Sequence, residues 1–502
     1  MRMIDYLDRG ALLAPERTCL IDGNERMTYS EVVAASHNIA AGLLEGGIGS
    51  GSRAAILAPN SAAAFTAVLG VLRSGATWIP ANVRATPVEL AEQLTIGECA
   101  VLFYDPVLQD VAELLVQAVP TLTWSIPLDA MPSGTAEIPD VLEDSRREAI
   151  LGFTGGTTGR PKALVASSRN VEAMTTALLA HVDIGSPPVY LAAAPLTHAA
   201  GILCFPVLAC GGTILIHRTV DPGAILDAVE RDGVTFLFLP PTAIYMLLAH
   251  PTVRGRDYSS LRAFVYAAAP MAPEKLRQAL DVFGPKMVQL YGQSEAAMIC
   301  TVLTAADHVT ALAEAPHRLA SCGRPSIVAR VAVMAEDGTL LPQGEIGEVV
   351  IRSALVMEGY LGDPDPSVRA HGWHHTGDVG RIDEDGYVYL VDRKKDMIVT
   401  GGFNVFSAEV ETAVLAHPAV AQCAVVGTPD PHWGEVVTAV VELLPDTTLD
   451  PDELIAHCKA LVGGVKSPKR VEIWPKLPRS SVGKILKREV RDYFWQGAER
   501  RV

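Results

Sequence analysis

Cysteine is scarce in this sequence and never paired in sequence: eight residues are scattered through 502, and no two stand as Cys-x-x-Cys. That pattern argues against a structural zinc site and fits buried thiols in a reducing compartment. Positive charge is also short. Lys and Arg total 41 against 57 Asp and Glu, a net charge of −16. A nucleic-acid partner needs a basic stripe, so none is expected; the acidity reads as solubility. Long apolar runs are missing too. Residues 62–72 are among the longest quiet apolar runs, and Arg73 closes them well short of the roughly 20 residues a bilayer span requires. The opening MRMIDYLDRG carries Asp5 and Asp8 and no apolar core, so no secretion signal is expected and the cytoplasm is the expected location. What is abundant is core material. Hydrophobic residues make up 49% and charged residues only 20%, too few for a largely disordered chain. At roughly 100–200 residues per domain, the length allows two to four domains, or one large domain with a satellite.

The first third alternates in α/β fashion. Thr28 and Glu31 have capping-box spacing, and Val32, Ala35, Ile39 and Leu43 then recur at helical intervals until Gly46 and Gly47. Residues 53–57 read as a short strand, 62–72 as a buried helix and 77–80 as the next strand. Repeats of this unit imply a parallel sheet with helices on its faces. Further strands are expected at 191–194, 212–216, 235–239 and 263–266. Near residue 320 the chain becomes β-rich. Strands are expected at 328–334, 347–352 and 387–391, with turns at Asp337-Gly338 and Asp385-Gly386. Residues 127–139 read as a loop. The charged break Asp392-Arg393-Lys394-Lys395-Asp396 precedes a second α/β stretch. The expectation is an α/β fold. Residues 1–394 form a large N-terminal domain of packed, mostly parallel sheets with helices, including a β-rich subdomain at about 320–394. Residues 395–502 form a small α+β domain.

One loop raises the question of chemistry. TGGTTGRPK, residues 154–162, follows the apolar Ala149-Ile150-Leu151. Glycines let backbone N–H groups approach an anion, threonine hydroxyls add donors, and Lys162 supplies a charge, so the stretch suits a polyphosphate. It is not a Walker A loop, because Gly159 is followed by Arg160-Pro161 where that motif needs Gly-Lys-Ser/Thr. Taken alone, the string also reads as an ordinary surface loop.

Seven further strings appear with it in order: PLTHAAG (195–201), YAAAPM (266–271), YGQSE (291–295), GEIGEVVIRS (344–353), EGYLGDP (358–364), HTGDVGRIDEDGYVYLVDRKKDMIVTGGFNVFSAEVE (375–411) and LPRSSVGKILKREV (477–490). The ordered set resembles the adenylate-forming superfamily of acyl-CoA synthetases, stand-alone adenylation domains and firefly luciferases, over nearly the whole chain. The resemblance implies a two-step reaction. A carboxylate attacks the α-phosphate of ATP to give an acyl-adenylate and pyrophosphate, and a thiol, usually that of CoA, then displaces AMP. Because both first-step reactants are anions, fixed donors, a cation and Mg²⁺ must stand where charge builds up.

The resemblance implies roles position by position. Lys484 matches the catalytic lysine that bridges the carboxylate and the α-phosphate. Thr154, Gly155, Gly156, Thr157, Thr158, Gly159 and Lys162 match the phosphate loop. Tyr291 would lie against the adenine with Ala268, Ala269 and Pro270 opposite, and Gly292, Gln293 and Ser294 continue the nucleotide site; Tyr291 also reads as a plain core aromatic. Glu295 matches the acid that helps hold Mg²⁺. Asp378 and Arg393 match the residues that hold the ribose hydroxyls, although Arg393 has Asp392 and Asp396 as alternative partners. His198 borders the implied acyl pocket and thiol tunnel, where it orients substrate, gates the tunnel or is simply structural. Tyr245, Tyr266, Ala267 and Ala297 complete the pocket. Lys395 sits at the hinge position of a mobile C-terminal domain; the alternative is a plain linker. Gly401, Gly402 and Phe403 line the thiol tunnel, and Trp433 either meets the nucleotide end of CoA or is a core tryptophan.

The sequence departs from the pattern in places. Gly155 replaces a serine donor, Ala163 a glycine and Ser294 a threonine. Ala267 and Ala268 stand where glycines are frequent, and Ser407 where proline is common. None removes a charge the mechanism needs. Thr197-His198-Ala199-Ala200 offers no acid to pair with a substrate ammonium, which excludes an α-amino acid on the cost of burying it unpaired. The uncharged FLFLPPTAIYM (236–246) points to an apolar acid: fatty, alicyclic or aromatic. The expected activity is an acyl-CoA ligase using ATP, Mg²⁺ and CoA as co-substrate. The alternatives are a stand-alone enzyme that loads a carrier-protein thiol and a non-catalytic nucleotide-binding relative. A homo-oligomer is compatible with the sequence but not indicated by it.

Overall fold

The computed structural model describes residues 1–138, 145–154, 161–362, 366–479 and 485–496. Two sheets organise the first part of the chain. The nine-stranded sheet has six strands in parallel register: Thr18–Asp22, Thr213–Ile216, Val189–Ala192, Phe236–Leu239, Ala263–Tyr266 and Met287–Tyr291. Antiparallel strands flank them at both edges. Phe236–Leu239 and Ala263–Tyr266 are buried at every position, which is why they read as unbroken apolar runs rather than alternating ones. The seven-stranded sheet places Arg53–Leu57 between Thr77–Ala81 and Val101–Tyr104, all parallel.

Helix Ala62–Arg73 accounts for the quiet apolar run at 62–72. It packs against strands of both sheets and is buried on nearly every side, the pattern of a helix with no face to water. Ser61 caps its start by accepting from the Ala64 N–H at 3.1 Å. Its one charge, Arg73, is buried but satisfied by Asp8 at 2.5 Å and by the Ser36 hydroxyl at 2.9 Å. The capping box of Thr28 and Glu31 forms at the start of helix Tyr29–Glu45, and Gly46 caps its end.

Several elements differ from expectation. The strand expected at 191–194 is Val189–Ala192, because the buried Ala193 and Ala194 continue the apolar run past the end of the ladder. The strand before the glycine-rich loop, Glu148–Thr154, pairs antiparallel with Lys162–Ser167, a strand the loop's composition concealed. The expected β-rich region forms a sheet in the order Ala329–Met334, Gly347–Ser353, His374–Ile382, Val388–Arg393. Packing divides the chain into one compact unit of residues 1–331, 351–374 and 385–388, and a second of 332–350, 375–384 and 389–502. Most of the β-rich sheet therefore groups with the tail rather than with the residues before 332. Among the described residues no helix is long and apolar enough to cross a membrane.

The second unit has its own core. Antiparallel strands Val420–Asp430 and Gly434–Leu443 pack against helix Ser407–Leu415, burying Val410, Val414, Val425 and Val437. A polar anchor sits at its edge. Asp392 accepts the Ser407 N–H and the Ser407 hydroxyl (2.8 Å), and Lys487 donates to the same hydroxyl at 2.8 Å. Lys487 also pairs with Glu411 at 2.7 Å; burial raises the Glu411 carboxyl above its ordinary range while Lys487 pulls it down. Ser407, one of the departures from the resembling family, thus ties the helix start to two charged groups, and a proline would forfeit its N–H. Replacing Ser407 with alanine is expected to destabilise this unit by about 1–3 kcal/mol, since it leaves buried charged partners short. Ser407→Pro is expected to cost more. Urea unfolding followed on the second unit checks the order.

Candidate active site

The strands on either side of the glycine-rich stretch, Glu148–Thr154 and Lys162–Ser167, pair antiparallel. Thr154 and Lys162 face each other as the last pair of the ladder, so the loop is closed at its root by backbone pairing. Gly155, Gly156, Thr157, Thr158 and Gly159 lie outside the described residues. A Walker loop runs from strand to helix and uses the helix N-terminus. Here the chain returns as a strand, and the next helix starts only at Ser168.

Lys162 leads through Tyr360 to Glu295. Its ammonium stands 4.9 Å from the centre of the Tyr360 ring, and the Tyr360 hydroxyl donates to Glu295 Oε1 at 2.9 Å. Tyr360 is held there because the short strand Gly359–Tyr360 pairs with Lys162–Ser167. Glu295 is held from behind, where its carbonyl accepts the Met357 N–H at 2.8 Å. Nothing in the sequence of EGYLGDP sets Tyr360 apart; only the strand pairing shows that it links Lys162 to Glu295.

The turn after strand Met287–Tyr291 carries the expected adenine residues. Tyr291 ends the strand almost fully buried. Gly292 must be glycine: a Cβ there would meet the Met298 nitrogen at 2.6 Å. Gln293 closes the turn through its N–H to the Ala296 carbonyl (2.8 Å), and its side-chain oxygen lies 3.4 Å from His374 Nε2. Ser294 is exposed and Ala297 half-buried in the same turn. The turn after strand Ala263–Tyr266, Ala267 to Pro270, contains an alanine at positive φ: Ala268 at 72°. That backbone explains why glycine is the frequent choice there.

Asp378 and Arg393, 15 positions apart, meet on neighbouring strands with Arg393 Nε 2.6 Å from Asp378 Oδ1. The alternative partners of Arg393 are engaged elsewhere: Asp392 with Ser407, and Asp396 with Arg491 at 2.8 Å. Glu348, which the sequence did not single out, braces the approach to Asp378. It accepts the Gly377 N–H at 3.1 Å and lies 3.1 Å from His375 and 3.3 Å from Lys394. Burial opposes its charge, but His375, Lys394 and the N–H outweigh burial and hold its carboxyl below the usual range. Lys395 is exposed in the turn between the pinned Lys394 and Asp396.

The residues expected around the acyl group differ among themselves. His198 is exposed, and its Nδ1 lies 3.0 Å from the Thr197 hydroxyl. Desolvation by neighbouring protein, with the nearby charge of Arg84, lowers its pKa below the ordinary 6.5. The Tyr245 hydroxyl accepts the Ala272 N–H at 3.1 Å. Tyr266 is fully buried, its hydroxyl 3.0 Å from His308 Nε2 and 3.1 Å from Gln289. Burial pushes His308 down to about 4, so it stays neutral, with its Nδ1 2.7 Å from the Thr304 carbonyl. Ala267 is also buried. In the second unit, Gly401 (φ 55°) packs against the Trp433 indole and donates its N–H to the Trp433 carbonyl at 3.0 Å. Trp433 is 51% exposed and Phe403 59%, so Trp433 is not a core tryptophan; Gly402 beside them has open space at its Cα. Lys484 lies outside the described residues.

Comparison with known proteins adds the family. The AMP-binding enzyme model matches residues 7–361, and that of the AMP-binding enzyme C-terminal domain matches residues 409–484. The chain belongs to the AMP-binding enzyme family. A feruloyl-CoA synthase from an Amycolatopsis species is 38% identical over 490 residues, covering 97% of this chain and 98% of its own. A medium/long-chain-fatty-acid–CoA ligase of Mycobacterium tuberculosis is 42% identical over 375 residues, covering 72% of this chain and 65% of its own. The solved amide bond synthetase McbA from Marinactinospora thermotolerans matches with a TM-score of 0.88 at 31% identity, over 98% of this chain and 100% of that one. This AMP-binding enzyme is therefore an AMP-forming ligase that uses ATP, on the mixed α/β fold expected from its sequence.

Among the described residues of the AMP-binding enzyme, no three His, Cys, Asp or Glu side chains converge into a metal cage. A single carboxylate such as Glu295 suits a hard cation that keeps water and phosphate oxygens as its other ligands, so the residues present fit Mg²⁺ arriving with the triphosphate. The strained turn gives the prediction here. Ala268→Gly is expected to stabilise the first unit by about 0.5–1 kcal/mol, the relief at positive φ exceeding the entropic cost of glycine. A lower urea midpoint than the parent's would contradict it.

Proposed function

We propose that this ligase activates an apolar carboxylic acid (fatty, alicyclic or aromatic) and transfers it to CoA. The observation that carries the reading is the Lys162–Tyr360–Glu295 chain beside the loop root, a cation and a carboxylate held together where a polyphosphate and its Mg²⁺ would need them. The acid's oxygen attacks the α-phosphorus of ATP, the bond to the β,γ-phosphates breaks and pyrophosphate leaves. The thiolate sulfur of CoA then attacks the acyl carbon and AMP leaves. When bound beside Glu295, Mg²⁺ supplies charge neutralisation on the phosphates. Lys162 and the loop amides bind the phosphates. Asp378 accepts from the ribose hydroxyls and Arg393 orients it. Lys484 supplies the cation between carboxylate and α-phosphate, with Lys395 as the hinge of the domain that bears it. Gly401, Gly402, Phe403 and Trp433 border the thiol's path. His198 is neutral at pH 7 and orients the acid. An aromatic acid is supported by the feruloyl-CoA synthase relative, and an apolar acid generally by the fatty-acid relative.

A panel of carboxylic acids scored by pyrophosphate release without thiol tests the first step. Thioester formation with free CoA tests the second. Turnover that needs a carrier protein or an amine instead of CoA would overturn the choice of acceptor, and no acid-dependent pyrophosphate with any acid would overturn the enzyme reading. Lys484→Ala is expected to slow acyl-adenylate formation by about a hundredfold or more, as loss of one preorganised donor does. The pH profile checks His198. Its pKa is depressed, so the acid limb for His198 is expected below 6.5 and absent in His198→Ala.

A further inference from the structure

We propose that Asn60 is a positioning residue that sets the 194–198 loop, and through it the acid-activating side of the site; this rests on the placement of the acyl group beside His198 given above. Asn60 follows strand Arg53–Leu57 of the seven-stranded sheet and is 7% exposed. Its side chain does not serve its own sheet. Nδ2 donates to the carbonyls of Ala194 at 2.9 Å and His217 at 3.0 Å, with that of Ala192 at 3.5 Å, while Oδ1 accepts the Leu196 N–H at 2.8 Å. Ala192 ends one strand of the nine-stranded sheet, and His217 follows the neighbouring strand Thr213–Ile216. One amide therefore joins the ends of two strands in the other sheet and fixes the first turn of PLTHAAG.

Only a carboxamide meets that environment. Carbonyls lie on one side and an N–H on the other, so the group must donate and accept at once. An aspartate would turn an oxygen toward the carbonyls, and an alanine would leave the Leu196 N–H without its side-chain acceptor. The loop is also pinned from the other end. A Cβ at Gly201 would stand 1.9 Å from the Leu196 carbonyl, so the chain folds back tightly, and the His198 N–H donates to the Pro195 carbonyl at 3.1 Å. His198 then projects from a segment with little freedom, and a shift of about 1 Å in such a group can cost as much as a hundredfold in rate.

The test uses Asn60→Ala, Asn60→Ser and Asn60→Asp in the full-length enzyme, with pyrophosphate release measured against acid and against ATP. Asn60→Ala and Asn60→Asp are expected to lower kcat/KM for the acid by about tenfold or more while KM for ATP stays within about twofold, and Asn60→Ser is expected to recover part of the loss. In a His198→Ala background the same substitutions are expected to cost less than about threefold further, because coupled residues are not additive. Equal loss for acid and ATP, or an equal cost in both backgrounds, would overturn the proposal. A His198→Ala enzyme as fast as its parent would instead sink the assigned role of His198, while the split between acid and ATP still judges Asn60. One measurement needs no variant: the Leu196 amide of the parent enzyme is expected to resist hydrogen exchange, and rapid exchange there would remove the anchor.

Discussion

Helix Ala62–Arg73 has no side turned to water, and the first unit is arranged around that constraint. A helix that is apolar all round must be covered all round, and here strands of two different sheets cover it. Within each sheet the central strands run parallel, so their C-terminal ends share a rim. Open α/β sheets bind ligands beyond such ends. His198, the Ala267–Pro270 turn and the turn after Tyr291 all lie beyond strand ends of one sheet, and Thr154 ends a strand of the other.

Within each unit, charged groups are oriented by neighbours that are not themselves reactants. Tyr360 stands between Lys162 and Glu295, Glu348 braces the turn that presents Asp378, and Arg393 faces Asp378 rather than its neighbours in sequence. Chemistry that brings two anions together gains most from dipoles and charges already in place, because none of them must reorganise as charge develops. Each of these supports comes from a different strand, so each depends on register. A slip of one residue in Lys162–Ser167 would turn Lys162 to the opposite face of its strand.

The departures from the family pattern follow the same logic. Ser407 converts a position that proline often fills into a donor for Asp392 and an acceptor for Lys487. Ala268 keeps a backbone made for glycine and bears the strain of its methyl. Neither touches a charge on which the reaction depends, so each alters packing while the electrostatics remain.

Local pattern was enough to announce much of this protein. Helix spacing and the Thr28–Glu31 cap, the fully apolar strands at 236–239 and 263–266, and the β-rich stretch beyond 320 depend on neighbours within a turn or two, and they appear where the sequence places them. The ordered motifs likewise marked the family and most of the candidate site. What stayed hidden depends on partners distant in sequence. That the glycine loop closes a hairpin, that Tyr360 reaches Glu295, that Arg393 chooses Asp378 over the acids beside it, and that Asn60 crosses to the other sheet are all outcomes of strand pairing. A residue's periodicity reports whether it is buried; which group it meets there is decided only when non-local strands settle into register.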